Sequence, residues 1–118
     1  MEIYKRIKID WIKTANRLVD LRLNNKNLIK YVCYFNKKMN ENKDSRFINK
    51  YTCYQDYNCD NCTEMDQNIS QQELANVFGV SRYVINNWEN SITIPDIEDI
   101  LLYSKISGVD IYDILVWE

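Results

Sequence analysis

The chain contains no histidine. That excludes a histidine general base, a mixed Cys/His zinc site and a Ser-His-Asp triad. With two glycines, Gly79 and Gly108, it has neither a P-loop nor a dinucleotide-binding glycine fingerprint. Long apolar runs are missing too. The longest clean one is "YVCYF" at 31–35, far short of the ~20 residues of a spanning helix. The expectation is a cytoplasmic protein with no membrane partner. No convergent acid, base and nucleophile is visible, so no enzyme is expected.

At 118 residues the chain is long enough for one domain, 1–118, with a single modest core. Its net charge of −2 hides an asymmetry. Residues 1–50 carry 13 Lys and Arg against 5 Asp and Glu, a balance of +8. Residues 51–118 carry 2 against 12, a balance of −10. A polyanion would be met by the first half, unless the two halves pair with each other.

Residues 1–9 alternate polar and apolar and read as an arm or short strand. Asp10 can cap a helix with Trp11, Ile12, Ala15, Leu18 and Val19 on its buried face. That helix fades in "RLNNKN". Residues 28–68 read as an insertion. "LIKYVCYF" and "FINKYTCY" are rich in β-branched and aromatic residues, and the polar "NKKMNENKDS" between them suggests a small β-hairpin.

From Ile69 the signals sharpen. Ser70 and Glu73 form a capping box, with Ile69 and Leu74 as its hydrophobic staple, and a helix should run from Gln71 to about Phe78. Gly79 ends it, and Ser81 caps the next, Arg82 to about Glu89. Asp96 and Asp99 cap a third, with Ile97, Ile100, Leu101 and Ile106 inward; Gly108 stops it and Asp110 caps a short last one. The fold expected is all-α, five helices plus the inserted segment.

Two short helices joined by the turn "GVS" make a helix-turn-helix over 70–90. Ala75 fits where the helices cross, and Leu74, Phe78, Val80, Ile85 and Trp88 fall at buried positions. With these residues in place, "ISQQELANVFGVSRYVINNWENSITIP" and "DIEDILLYSKISGVDIYDIL" resemble the lambda-repressor-like, XRE-type helix-turn-helix transcriptional regulators. Upstream, "RLVDLRLNN" is similar to that family's first helix.

The resemblance implies double-stranded DNA as partner, a homodimer on a roughly palindromic site, and repression by promoter occupancy, with a phage, plasmid or integrated element of a bacterium as the setting. Carried onto this chain, it makes Arg82, Tyr83, Asn86 and Asn87 the base-reading candidates. Arginine suits guanine and asparagine suits adenine, because each can make paired hydrogen bonds. It makes Gln71, Asn90 and Thr93 phosphate contacts, and pairs Arg22 with Glu89 of the "WE" dipeptide as a structural ion pair. The chain departs from the family at Ser91, where glycine is usual. It departs again in leaving only Arg82 and Lys105 as bases after residue 50. Phosphate attraction supplies most non-specific affinity. Lys37, Lys38 and Lys43 in the insertion are therefore expected to add the missing backbone contacts.

Four cysteines remain. Cys59 and Cys62 have the spacing of a metal knuckle, and with Cys53 and Cys33 they could form a four-thiolate zinc site; packed reduced thiols and a redox pair are the other readings. Two further functions stay open beside DNA binding. The acidic half could bind a protein partner, antirepressor-like, or the cysteines could sense metal or redox state. No small-molecule effector is legible.

Overall fold

The computed structural model describes residues 8–41 and 69–118. Six helices are found among them: α1 (Trp11–Asn24), α2 (Lys26–Glu41), α3 (Gln71–Phe78), α4 (Arg82–Glu89), α5 (Ile97–Ser107) and α6 (Ile111–Ile114).

Asp10 opens α1 by accepting the Lys13 N–H at 3.0 Å. The buried stripe is Thr14, Ala15, Leu18 and Leu21. It is rotated from the expected one: Ile12 is 69% exposed, and Trp11 and Val19 are half-buried. Thr14 can lie inside because its Oγ1 accepts the Val116 N–H at 3.0 Å, which satisfies the hydroxyl from the C-terminal tail. That tail also receives the start of the described chain. Asp10 N–H donates to Val116 O at 2.7 Å, Glu118 N–H to Lys8 O at 2.9 Å, and Ile9 forms an isolated antiparallel bridge with Trp117.

Asn25 separates α1 from α2 and serves both. Its backbone N–H closes α1 on Leu21 O, and its side-chain oxygen accepts the Leu28 N–H at 2.8 Å, capping α2. α2 corrects the sequence expectation of a β-hairpin. The first expected strand, "LIKYVCYF", is helix, and the second lies outside the described residues. Leu28, Ile29, Val32 and Cys33 are all buried, and i, i+1, i+4, i+5 is helical spacing. Tertiary burial of that stripe outweighs the β-preference of its branched and aromatic residues. Residues 28–41 are thus a helix of the bundle, packed on α1, α3 and α5.

The later boundaries fall where the caps place them. The Ser70/Glu73 and Asp96/Asp99 capping boxes both form, and Asp110 accepts the Tyr112 N–H at 2.9 Å. Gly79 and Gly108 take φ of +68° and +74°, the left-handed conformation that ends α3 and α5. Two residues expected inside α5 are outside: Ile97 is 62% exposed and Leu101 48%. The inward face of α5 is Ile100, Tyr103, Ile106 and Ser107.

The core gathers side chains from every helix. Leu18, Leu28, Leu74, Ile85, Tyr103 and Ile114 are fully buried or nearly so, each side chain contributing about 1.5–3 kcal/mol by leaving water. At its centre Phe78, Trp88 and Tyr103 meet, with ring centroids 4.7 to 6.2 Å apart in tilted and edge-on arrangements. This aromatic knot joins the helix-turn-helix to α5. The Tyr103 hydroxyl has no hydrogen-bond partner there. Burial, followed by the nearby Glu89 charge, pushes its pKa up, so the phenol stays neutral.

Candidate nucleic-acid interface

α3 and α4 cross with Ala75 wholly buried between them. At the turn, a Cβ on Gly79 would touch nothing within 4 Å. Glycine is required there by the positive φ and not by space. Ser81 stands at the N-cap of α4 but makes no side-chain cap hydrogen bond.

α4 divides into two faces. Ile85, Trp88 and Glu89 point inward. Arg82 and Tyr83 point outward, Tyr83 at 70% exposure. Asn86 and Asn87 lie at the margin, half-buried. Their surroundings differ. Asn86 Oδ1 accepts from Gln71 Nε2 at 3.3 Å and from Asn90 Nδ2 at 3.1 Å. The backbone oxygen of Asn87 accepts the Ile92 and Thr93 N–H groups, at 2.9 and 3.3 Å, which fixes the loop after α4 while its carboxamide stays out of those bonds.

The inner end of α4 is held by charge. Arg22 Nε donates to Glu89 Oε2 at 2.8 Å and Nη2 to Oε1 at 3.0 Å, a two-pronged pair; Nη1 donates to Ile69 O at 2.7 Å. The Glu89 side chain is only 3% exposed. Gln71 Nε2 adds a further donor to Glu89 Oε1 at 3.0 Å. One carboxylate thus ties together α1, the start of α3 and the end of α4. Gln71 therefore commits its side-chain donors to α4, and what the N-terminus of α3 offers outward is backbone N–H.

Asn90 folds back on α4, donating to Asn86 O at 2.8 Å. Thr93 is exposed. Ser91, standing where the family pattern has glycine, has φ +62°, and its hydroxyl donates to Trp11 O at 3.4 Å. The loop thus keeps the left-handed turn with a serine in it, at a backbone cost of about 1 kcal/mol.

The basic candidates of α2 are Lys37, half-buried, and Lys38, exposed, whose ammonium lies 5.7 Å from the Tyr34 ring centroid. Lys43, Cys53, Cys59 and Cys62 lie outside the described residues. Cys33 is buried in α2 and not on a hairpin strand. Among the described residues no group of three or more His, Cys, Asp or Glu converges as a metal site.

One residue that matters is not singled out by the sequence. Asn36 is 3% exposed, and its Nδ2 donates to Val32 O at 2.8 Å and Glu73 O at 3.0 Å. Its Oδ1 accepts from Asn76 Nδ2 at 2.7 Å, and Gln72 reaches Asn76 at 3.0 Å. This amide chain docks α2 on the first helix of the motif. Its signal is a polar residue continuing the stripe Leu28, Ile29, Val32, Cys33, legible only once that stripe is read as helix.

Residues 64–114 match the family model described as Helix-turn-helix. Comparison with curated proteins and with solved structures gave no significant match. Among the described residues no helix is long and apolar enough to cross a membrane. The capped α3, the left-handed turn at Gly79, the two-faced α4 and the family match agree: α3 and α4 form a helix-turn-helix, and residues 64–114 are similar to the lambda-repressor-like, XRE-type helix-turn-helix family of DNA-binding transcription regulators.

Proposed function

We propose that the protein is a sequence-specific repressor that reads the major groove with α4, as a homodimer on a roughly palindromic operator. The observation that carries this reading is the division of α4. Its inner face is locked by Ile85, Trp88 and the Glu89 pair, while Arg82 and Tyr83 project into solvent. Arg82 is the guanine reader, and Asn87 the adenine reader, since its carboxamide is not tied up as that of Asn86 is. Gln71, Asn90 and Thr93 flank the groove at phosphate positions. Lys37 and Lys38, with Lys43, supply backbone attraction that the acidic second half lacks. The setting is control of a phage or another mobile element in a bacterial cytoplasm.

Selection from a random duplex library at low salt separates these roles. Wild type should enrich a palindromic consensus. Arg82→Ala should lose roughly 10- to 100-fold of the preference for guanine at one position of each half-site. Lys37→Ala with Lys38→Ala should weaken all duplexes alike and reduce the salt slope by about one for each phosphate no longer neutralised. No enrichment by the wild type would sink the reading and favour a protein partner for the acidic half.

The zinc reading rests on Cys33, Cys53, Cys59 and Cys62, of which Cys33 is buried in α2. Metal analysis of the purified chain should find roughly one zinc, lost in Cys59→Ser. A metal-free protein with unchanged stability would leave the cysteines as packed thiols.

A further inference from the structure

The outer face of α5 is not the polar face that a surface helix normally turns to water. Ile100, Tyr103, Ile106 and Ser107 point inward. Opposite them stands Leu101, 48% exposed, with Ile97 one turn before it at 62%. Ile94, in the loop that leads into the helix, is 55% exposed. Single exposed apolar residues are ordinary, but neighbours along one element make a patch.

Charge frames this patch. Glu98 and Lys105 are both exposed, and helical spacing sets them on the Leu101 face, to the same side of that leucine. They stand about 10 Å apart along the axis, beyond the i, i+3 and i, i+4 neighbours that pair on a helix. Among the described residues neither takes part in an ion pair. Asp96 and Asp99 are engaged in the capping box, so Glu98 is the first-turn carboxylate left to face outward. Each charge also complements the helix dipole at its own end. The dipole asks only for the right end of the helix, not for a shared side beside Leu101.

We infer that the outer face of α5 is the surface on which two copies of this chain meet, their α5 helices antiparallel about a two-fold axis at Leu101. This rests on the homodimer proposed above and gives it a surface. In that arrangement Leu101 meets itself, and positions equally far before and after it face one another. The two-fold also sets each side of the helix against the same side of its copy. Lys105 of each copy therefore comes beside Glu98 of the other, and two identical ion pairs flank the apolar centre. The patch, with the carbon stems of Glu98 and Lys105, would bury about 800–1,000 Å² in the two copies together, at the small end of specific interfaces. The contact is weak alone and is reinforced when one operator holds both copies.

Sedimentation equilibrium of the full chain, without DNA, tests this contact apart from the operator. Wild type should self-associate with a Kd of roughly 100 μM. Glu98→Lys and Lys105→Glu, both exposed changes, should each weaken association at least roughly tenfold, since each sets two like-charged pairs across the axis. Leu101→Ser should weaken it as much by removing the apolar centre. Mixed in equal amounts, the two single charge variants should associate about as tightly as wild type, because each supplies the charge the other lacks. The double variant Glu98→Lys, Lys105→Glu should self-associate again. A lost dipole complement could weaken either single variant but could not be repaired by mixing. Three results would each overturn the assignment: a wild type still monomeric at roughly 1 mM, undiminished association of Glu98→Lys or Leu101→Ser, or single variants that do not recombine. None of them decides the operator selection, whose failure alone sinks the DNA reading.

Discussion

Replacing Arg22 with methionine is expected to lower the unfolding free energy by about 3–5 kcal/mol and the melting temperature by roughly 10–20 °C. The cause is what remains behind. Glu89 would keep its charge at a side chain 3% exposed, with only the Gln71 amide to face it. Leaving one member of a buried pair uncompensated costs far more than the pair itself contributes. Ile69 O would also lose the donor at 2.7 Å that holds the entry to α3. The double variant Arg22→Met, Glu89→Leu should recover most of the loss, because two apolar groups of similar shape need no mutual charge. Urea unfolding with an unchanged slope measures both. A loss under about 1 kcal/mol for the single variant would mean that water reaches Glu89 and that the pair is not what positions α4.

How much of this fold is legible in the sequence follows from how local each signal is. From Ile69 onward the expected helix boundaries match, because Ser70, Gly79, Asp96, Gly108 and Asp110 act within three or four residues of themselves. α2 departs from expectation because its local preference and its tertiary fate conflict. "LIKYVCYF" has the composition of a strand, and only the facing surfaces of α1, α3 and α5 bury its helical stripe. The inward faces of α1 and α5 differ in part for a related reason. Periodicity finds a face but not its limits, so Ile12, Ile97 and Leu101 are expected inside although they stand exposed. On α4, the exposure of Arg82 and Tyr83 is readable from the motif. The engagement of Asn86 by Gln71 and Asn90 is not, since it depends on where α3 and the following loop lie against α4.

The charge asymmetry also acquires a structural form. The basic first half supplies α1 and α2, and the acidic second half supplies the motif, α5 and α6. Across that divide Arg22 pairs with Glu89, and this pair is buried, so it holds helices together without altering the surface that a polyanion meets. A polyanion approaching the bundle is therefore drawn toward the side that α1 and α2 form.

Asn36→Ala is expected to cost about 2–3 kcal/mol, the second largest effect among these residues. Asn36 makes three hydrogen bonds of 2.7 to 3.0 Å in a site 3% exposed, two of them across to α3. Alanine would remove all three and leave a small cavity between helices that interiors fill closely. The carbonyls of Val32 and Glu73 keep their places in their own helices, which limits the loss. Asn76 would have to turn its amide toward water. Gln72→Ala, which removes only an exposed contact to Asn76, should change stability by less than about 0.5 kcal/mol. Hydrogen exchange gives the sharper reading. In Asn36→Ala the amides of α2 should lose protection more than those of α4 and α5, because the Phe78, Trp88 and Tyr103 knot and the Arg22–Glu89 pair stay intact. If α4 loosens equally, α2 is no separable addition to the motif but part of the unit that holds α4 in place.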